Sequence, residues 1–163
     1  MKILLIRHAI AMEREDFAPT HRPDSERPLT DYGRRQMRRN ARALSAFAST
    51  PEIIATSPFA RAAETARIVA RAFGVDALEP VPALEPERSP RDVAAWLNDA
   101  SAESVALVGH EPDLGLLATW LISGRKESAM KFEKGGAALL IAKGKVRASS
   151  CTLRWLVTPV QLR

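Results

Sequence analysis

The sequence predicts an α/β fold, a three-layer sandwich with a mostly parallel central sheet flanked by helices. Three observations point to it. Short apolar runs at Lys2–Arg7, Glu52–Thr56 and Ser104–Gly109 alternate with longer segments of helical character, the pattern of strand–helix–strand units. The first and last runs are apolar almost throughout, as strands covered on both faces must be. No repeat, low-complexity tract or linker breaks the 163 residues, a length that suits one domain over 1–163 with a continuous core.

Taken in order, Lys2–Arg7 reads as a central parallel strand, and a polar, proline-bearing loop follows from Ala9 to Leu29. Thr30 has the character of an N-cap, and Asp31–Ser49 sets Met37, Ala41, Leu44 and Phe47 near helical spacing. Pro51 interrupts before a short strand at Glu52–Thr56. Arg61–Phe73 is a second helix, closed by Gly74. Leu78–Val81 is a third strand, and Ser89 with Pro90 opens a helix over Pro90–Leu97. The buried strand Ser104–Gly109 leads through His110-Glu111 into a helix over Pro112–Ile122. Past Gly135-Gly136, Ala137–Ala142 and Cys151–Val157 form a hairpin about a basic turn at Gly144.

Composition narrows the function classes. Hydrophobic content of 46% with 26% charged residues is that of a globular protein, and no apolar run approaches the roughly 18–20 residues of a membrane span. The apolar stretch Ile3–Ile6 is too short for a signal peptide and lacks a clean cleavage site, so a cytoplasmic location is expected. Cys151 is alone, which rules out an intramolecular disulfide and fits a small core residue. The net charge of +5 is carried more by Arg than by Lys, with Arg34, Arg35, Arg38, Arg39 and Arg42 clustered on one helix. Without aromatic interleaving or a nucleic-acid motif this cluster reads as a solvated helix face, and neither a nucleic-acid nor a membrane partner is expected.

Open α/β sheets place their sites beyond the carboxyl ends of the strands. Three such ends carry distinctive residues: Arg7-His8, Ser57 to Arg61, and Gly109-His110. The remaining histidine, His21, lies in the polar loop. No closely spaced histidine pair exists, so a zinc site is not expected. Arg7 and Arg61 suit bidentate capture of phosphate oxygens. Arg61 falls in a first helical turn, where backbone N–H groups also favour an anion, and shares a face with Thr65.

Four motifs in order carry a resemblance. Leu5-Ile6-Arg7-His8-Ala9, Pro28-Leu29-Thr30-x-x-Gly33, Ser57-Pro58-Phe59-Ala60-Arg61-Ala62 with Glu64-Thr65-Ala66, and Val108-Gly109-His110-Glu111-Pro112 resemble the signatures of the histidine phosphatase superfamily. Their order and spacing are most similar to its SixA-type phosphohistidine phosphatases, and the resemblance runs to about Leu121. It implies a phosphoglycerate mutase-like sandwich and a metal-independent phosphatase with no cofactor. By the same resemblance His8 is the nucleophile, and Arg7, Arg61 and His110 bind the transferred phosphoryl group. A neutral imidazole beside cations is consistent with that role.

Two departures stand out. Ala9 occupies a position where the superfamily usually has Gly, which matters if the backbone there needs positive φ. Many members place a Glu general acid after the third strand; Glu85 and Glu87 are the candidates here, in uncertain register. The expected substrate is a phosphohistidine on a signalling or phosphotransfer protein, with a small phosphorylated substrate as the alternative. A different class, a non-enzymatic module binding nucleic acid or an acidic partner through the arginine-rich helix, leaves the Arg7/His8/Arg61/His110 set unexplained.

Overall fold

The structure is a computed structural model and describes residues 1–162. Its elements are β1 (Lys2–Arg7), α1 (Arg14–Phe17), α2 (Asp31–Phe47), β2 (Ile53–Thr56), α3 (Ala60–Phe73), β3 (Leu78–Pro80), α4 (Pro90–Asp99), β4 (Ser104–Gly109), α5 (Asp113–Ser123), β5 (Ala137–Ala142) and β6 (Cys151–Val157). Among the described residues they form a six-stranded sheet in the order β3-β2-β4-β1-β5-β6. The run β3-β2-β4-β1 is parallel, while β5 is antiparallel to both β1 and β6. The sheet is therefore mixed: a parallel core with the expected C-terminal hairpin added at one edge.

Side-chain alternation divides the core between two faces, as the pleat requires. Ile3, Leu5, Val105 and Leu107 pack with Val93 and Leu97 of α4 and with Leu114, Leu117 and Leu121 of α5. Leu4, Ile6, Ala106 and Val108 pack on the other face with Met37, Ala41 and Leu44 of α2 and with Ala62, Ala66 and Val69 of α3. The apolar runs of β1 and β4 need no polar alternation because both faces are covered. Helices end where the sequence provides stops: Thr30 Oγ1 accepts from Gly33 N at 2.9 Å, and Gly74 closes α3 with φ 68°.

Two expectations are corrected. The helix from Pro90 continues to Asp99, because nothing between Leu97 and Ala100 breaks it. The segment after Ala9 is not a plain loop. It contains α1 and two short 3₁₀ turns, and the pairing of Ala11 with Leu29 brings its ends together. It has no periodic apolar stripe, and polar contacts pin it: Arg27 Nη1 donates to the Met12 carbonyl at 2.6 Å.

The start of α2 is docked on the chain that leaves β1. Thr30 N donates to the Ile10 carbonyl at 3.0 Å, and a Cβ added at Gly33 would run into that same carbonyl. Gly33 is thus a close-approach glycine, set against a residue two positions after His8. Gly33→Ala is expected to lower stability by roughly 1–3 kcal/mol through overpacking. A denaturant midpoint unchanged from the parent protein would refute this.

Candidate active site

Strand register assembles the site. Arg7 lies opposite Gly109 in the β1–β4 pair, and Thr56 lies opposite Val108 in the β2–β4 pair. The residues that follow these strands therefore emerge side by side. The His8 and His110 rings lie with centroids 5.1 Å apart. Arg7, His8, Arg61 and His110 all line one cleft of about 470 Å³, whose wall also includes Arg27 and Glu111.

The hydrogen bonds of His8 select one ring nitrogen. His8 Nδ1 lies 2.7 Å from the Ala9 carbonyl oxygen, which can only accept. Nδ1 therefore carries the proton of the neutral ring, and the lone pair is on Nε2. The Ala9 peptide is itself held, since its N–H donates to Thr65 Oγ1 at 3.0 Å, and Thr65 Oγ1 donates to the Arg61 carbonyl at 2.7 Å. Ala9 is not among the residues with positive φ and is almost fully buried. The position calls for a small side chain here, not for a left-handed backbone, and Ala satisfies it.

His110 is fixed from the other side. Its Nε2 lies 2.8 Å from Ser57 Oγ, which also accepts from Phe59 N at 3.3 Å. The Ser57 hydroxyl can then give its proton to Nε2, leaving His110 Nδ1 as an N–H donor. Among the described residues three buried side-chain nitrogens have no hydrogen-bond partner: Arg7 Nε, Arg61 Nε and His110 Nδ1. Buried donors are almost always paired, so three orphans on residues of one cleft mark a place built for an anion.

Each arginine is oriented by its other edge. Arg7 Nη1 donates to the Phe132 carbonyl at 2.6 Å, while Phe132 N donates to Glu111 Oε1 at 2.8 Å. Arg61, only 4% exposed, grips Asp24 through Nη1 to the carbonyl at 3.0 Å and Nη2 to Oδ2 at 3.1 Å. Asp24 also takes Arg27 Nε on Oδ1 at 2.7 Å. One carboxylate from the segment after β1 thereby aligns two cleft arginines. Burial disfavours the charged guanidinium of both Arg7 and Arg61, opposed by Glu111 and Asp24 respectively.

The same environment keeps the imidazoles neutral. Burial, joined by the charges of Arg61, Arg7 and Arg27, lowers the His8 pKa to about 4 against the pull of the Ala9 carbonyl. Burial, then His8 and Arg61, lowers that of His110 to about 3. Both values lie below the ordinary 6.5, so the unfolded chain binds more protons than the folded one across this interval. Stability is therefore expected to fall as pH drops from about 6.5 towards about 4. Denaturant midpoints at pH 7.5 and pH 5 measure this; a flat profile between them would contradict neutral histidines.

Four of the residues singled out from sequence, Arg7, His8, Arg61 and His110, come together. Glu85 and Glu87 do not line the cleft, although Pro86 between them does. Glu85 Oε2 accepts from Arg88 Nη2 at 2.8 Å, and Glu87 sits exposed at φ 68° with its N–H on Asp113. Sequence reasoning missed Asp24, Arg27 and Glu111. The only signal for the first two was an acid–base pair three apart immediately before Pro28-Leu29-Thr30.

The family model described as "Histidine phosphatase superfamily (branch 1)" matches residues 3–87. The chain belongs to the histidine phosphatase superfamily. Similarity to individual proteins extends beyond that stretch. The chain is 35% identical over 139 residues to an uncharacterized protein of Picosynechococcus sp., covering 83% of this chain and 82% of that protein. The protein histidine phosphatase SixA, solved in complex with tungstate, is similar over 100% of both chains with TM-score 0.86 and 26% identity. The alpha-ribazole phosphatase of Shigella flexneri shares the fold, with TM-score 0.68 and 22% identity over 98% of this chain and 97% of that one. This histidine phosphatase thus has the architecture of the SixA type, and no described helix is long and apolar enough to cross a membrane.

Proposed function

We propose that this histidine phosphatase removes phosphate from phosphohistidine on a protein, through a covalent phosphohistidine on His8. One observation carries the reading: a neutral His8, proton committed to Nδ1, shares a cleft with three orphaned donors. The Nε2 lone pair of His8 attacks phosphorus, and the bond from phosphorus to the substrate imidazole breaks. The departing ring takes up a proton and leaves neutral. Water then attacks the phosphoenzyme, releasing inorganic phosphate and restoring His8. Arg7, Arg61 and His110 hold the equatorial oxygens and offset their charge through a loose transition state.

Glu85 and Glu87 lie outside the cleft, and this substrate class does not depend on them. A protonated imidazole is a good leaving group, whereas an alkoxide needs an acid beside it. A second reading, a small phosphomonoester, draws on Glu15, which lines the cleft and has no ion pair among the described residues. Loss of activity in Glu15→Gln together with a preference for sugar phosphates would favour it.

The deciding experiment offers pure enzyme a phosphohistidine protein and common phosphomonoesters, with and without EDTA, and traps the intermediate. The expected result is faster release from phosphohistidine, insensitivity to EDTA, and an acid-labile, alkali-stable label on His8. A label elsewhere would sink the mechanism, and much faster release from sugar phosphates would sink the protein substrate.

A further inference from the structure

We propose that the outward face of α2 is a docking surface for an acidic protein, the one whose phosphohistidine enters the cleft; this rests on the function proposed above. Arg35, Arg38, Arg39 and Arg42 recur at i, i+3, i+4 and i+7, which places them in one stripe along the helix. All four are exposed, and with Tyr32 they line a shallow groove of about 370 Å³. Their neighbour Arg34 behaves differently, pairing with Asp31 at 2.9 Å and Glu64 at 2.8 Å. Among the described residues the side chains of the other four make no ion pair or hydrogen bond; Arg42 only accepts at its backbone carbonyl, from Ser45 Oγ at 2.9 Å.

The fold makes no use of this stripe. The opposite face of α2 supplies the buried Met37, Ala41 and Leu44, so the arginines lie on the face turned away from the core. Nor does the helix dipole account for them, since it favours cations in the last turn, where α2 has none. Like charges at i, i+3 and i, i+4 repel one another along the helix. An arrangement that works against the helix carrying it fits a surface whose counter-charges come from another molecule.

Position supplies the kind of partner. Thr30, the cap of α2, hydrogen-bonds to Ile10, next to the cleft-lining Ala11, so α2 starts beside the segment that enters the cleft wall. From Tyr32 to Arg42 the stripe runs for about 15 Å by the rise of an α-helix. A phosphomonoester seated at His8 cannot span that length, whereas a protein displaying a phosphohistidine can. An acidic helix repeats its carboxylates at the same spacing as the arginines. A nucleic acid would match the charge but brings no phosphohistidine to the cleft, and Tyr32 is the only aromatic residue lining the groove. Charges placed this way steer association and act chiefly on encounter.

The test compares the parent protein with R35Q/R38Q/R39Q/R42Q, whose substitutions are exposed and keep helix-forming side chains. The probes are an acidic histidine phosphotransfer protein, phosphorylated and unphosphorylated, and free phosphoimidazole. The variant is expected to lose at least about 10-fold in kcat/KM on the phosphoprotein through KM, to keep its rate on phosphoimidazole, and to show a weaker salt dependence. Calorimetric binding of the unphosphorylated protein is expected to weaken in parallel. Equal losses on both substrates, or none, would overturn the docking surface. So would a variant that loses retention of RNA or DNA while binding the acidic protein as before. If the parent protein binds the acidic protein through the stripe yet never dephosphorylates it, the docking surface stands and the proposed substrate falls.

Discussion

Replacing His8 by Asn is expected to lower kcat/KM by about 10⁴-fold or more, as removal of a covalent nucleophile does elsewhere. Asn approximates the shape of the near half of the imidazole, and its amide can still donate to the Ala9 carbonyl that His8 Nδ1 meets at 2.7 Å. The neighbouring backbone is therefore retained while the Nε2 lone pair is lost. The arginines and His110 remain, so phosphate or tungstate should still bind to the variant. Steady-state kinetics with a phosphohistidine protein, together with a trapping experiment, measure both effects. Residual turnover within 100-fold of the parent protein would mean that the phosphoryl group is carried elsewhere.

Arg61→Lys is expected to lower kcat/KM by about 10²–10³-fold, mainly in kcat. The charge survives but the fork does not. In the parent protein the two Nη groups of Arg61 hold Asp24 at 3.0 and 3.1 Å, while Nε is left without a partner in the cleft. A single ammonium cannot hold Asp24 and reach a phosphoryl oxygen in the plane of Nε. The variant must give up one of the two, and Asp24 also orients Arg27 through the 2.7 Å contact. A lysine variant within threefold of the parent protein would show that Arg61 supplies charge alone.

The parallel core and four cleft residues were legible because Arg7-His8 and His110 stand directly at the ends of apolar runs, and Arg61 follows the β2 run after a short turn. Such an ending cannot be core, and adjacent strands bring such endings together. Asp24 and Arg27 were not legible, since their part depends on how a segment without periodicity closes over Arg61. The placement of Glu85 and Glu87 outside the cleft was not legible for a related reason. Their direction is set by the 3₁₀ turn at Pro82–Leu84 and by the left-handed backbone at Glu87, neither of which has a sequence pattern strong enough to fix register. Glu111 stood beside His110 in plain view. Its link to Arg7 passes through the peptide of Phe132, a contact between residues distant in sequence.

The bond from His8 Nδ1 to the carbonyl of its own neighbour has a consequence for variation. Many enzymes assign the proton of a reactive histidine with a carboxylate side chain, which one substitution can remove. In this chain the acceptor is main chain, and every residue type supplies it. Position 9 can then exchange one small residue for another without altering which nitrogen of His8 carries the lone pair. The choice of tautomer passes from parent to variant with the backbone itself.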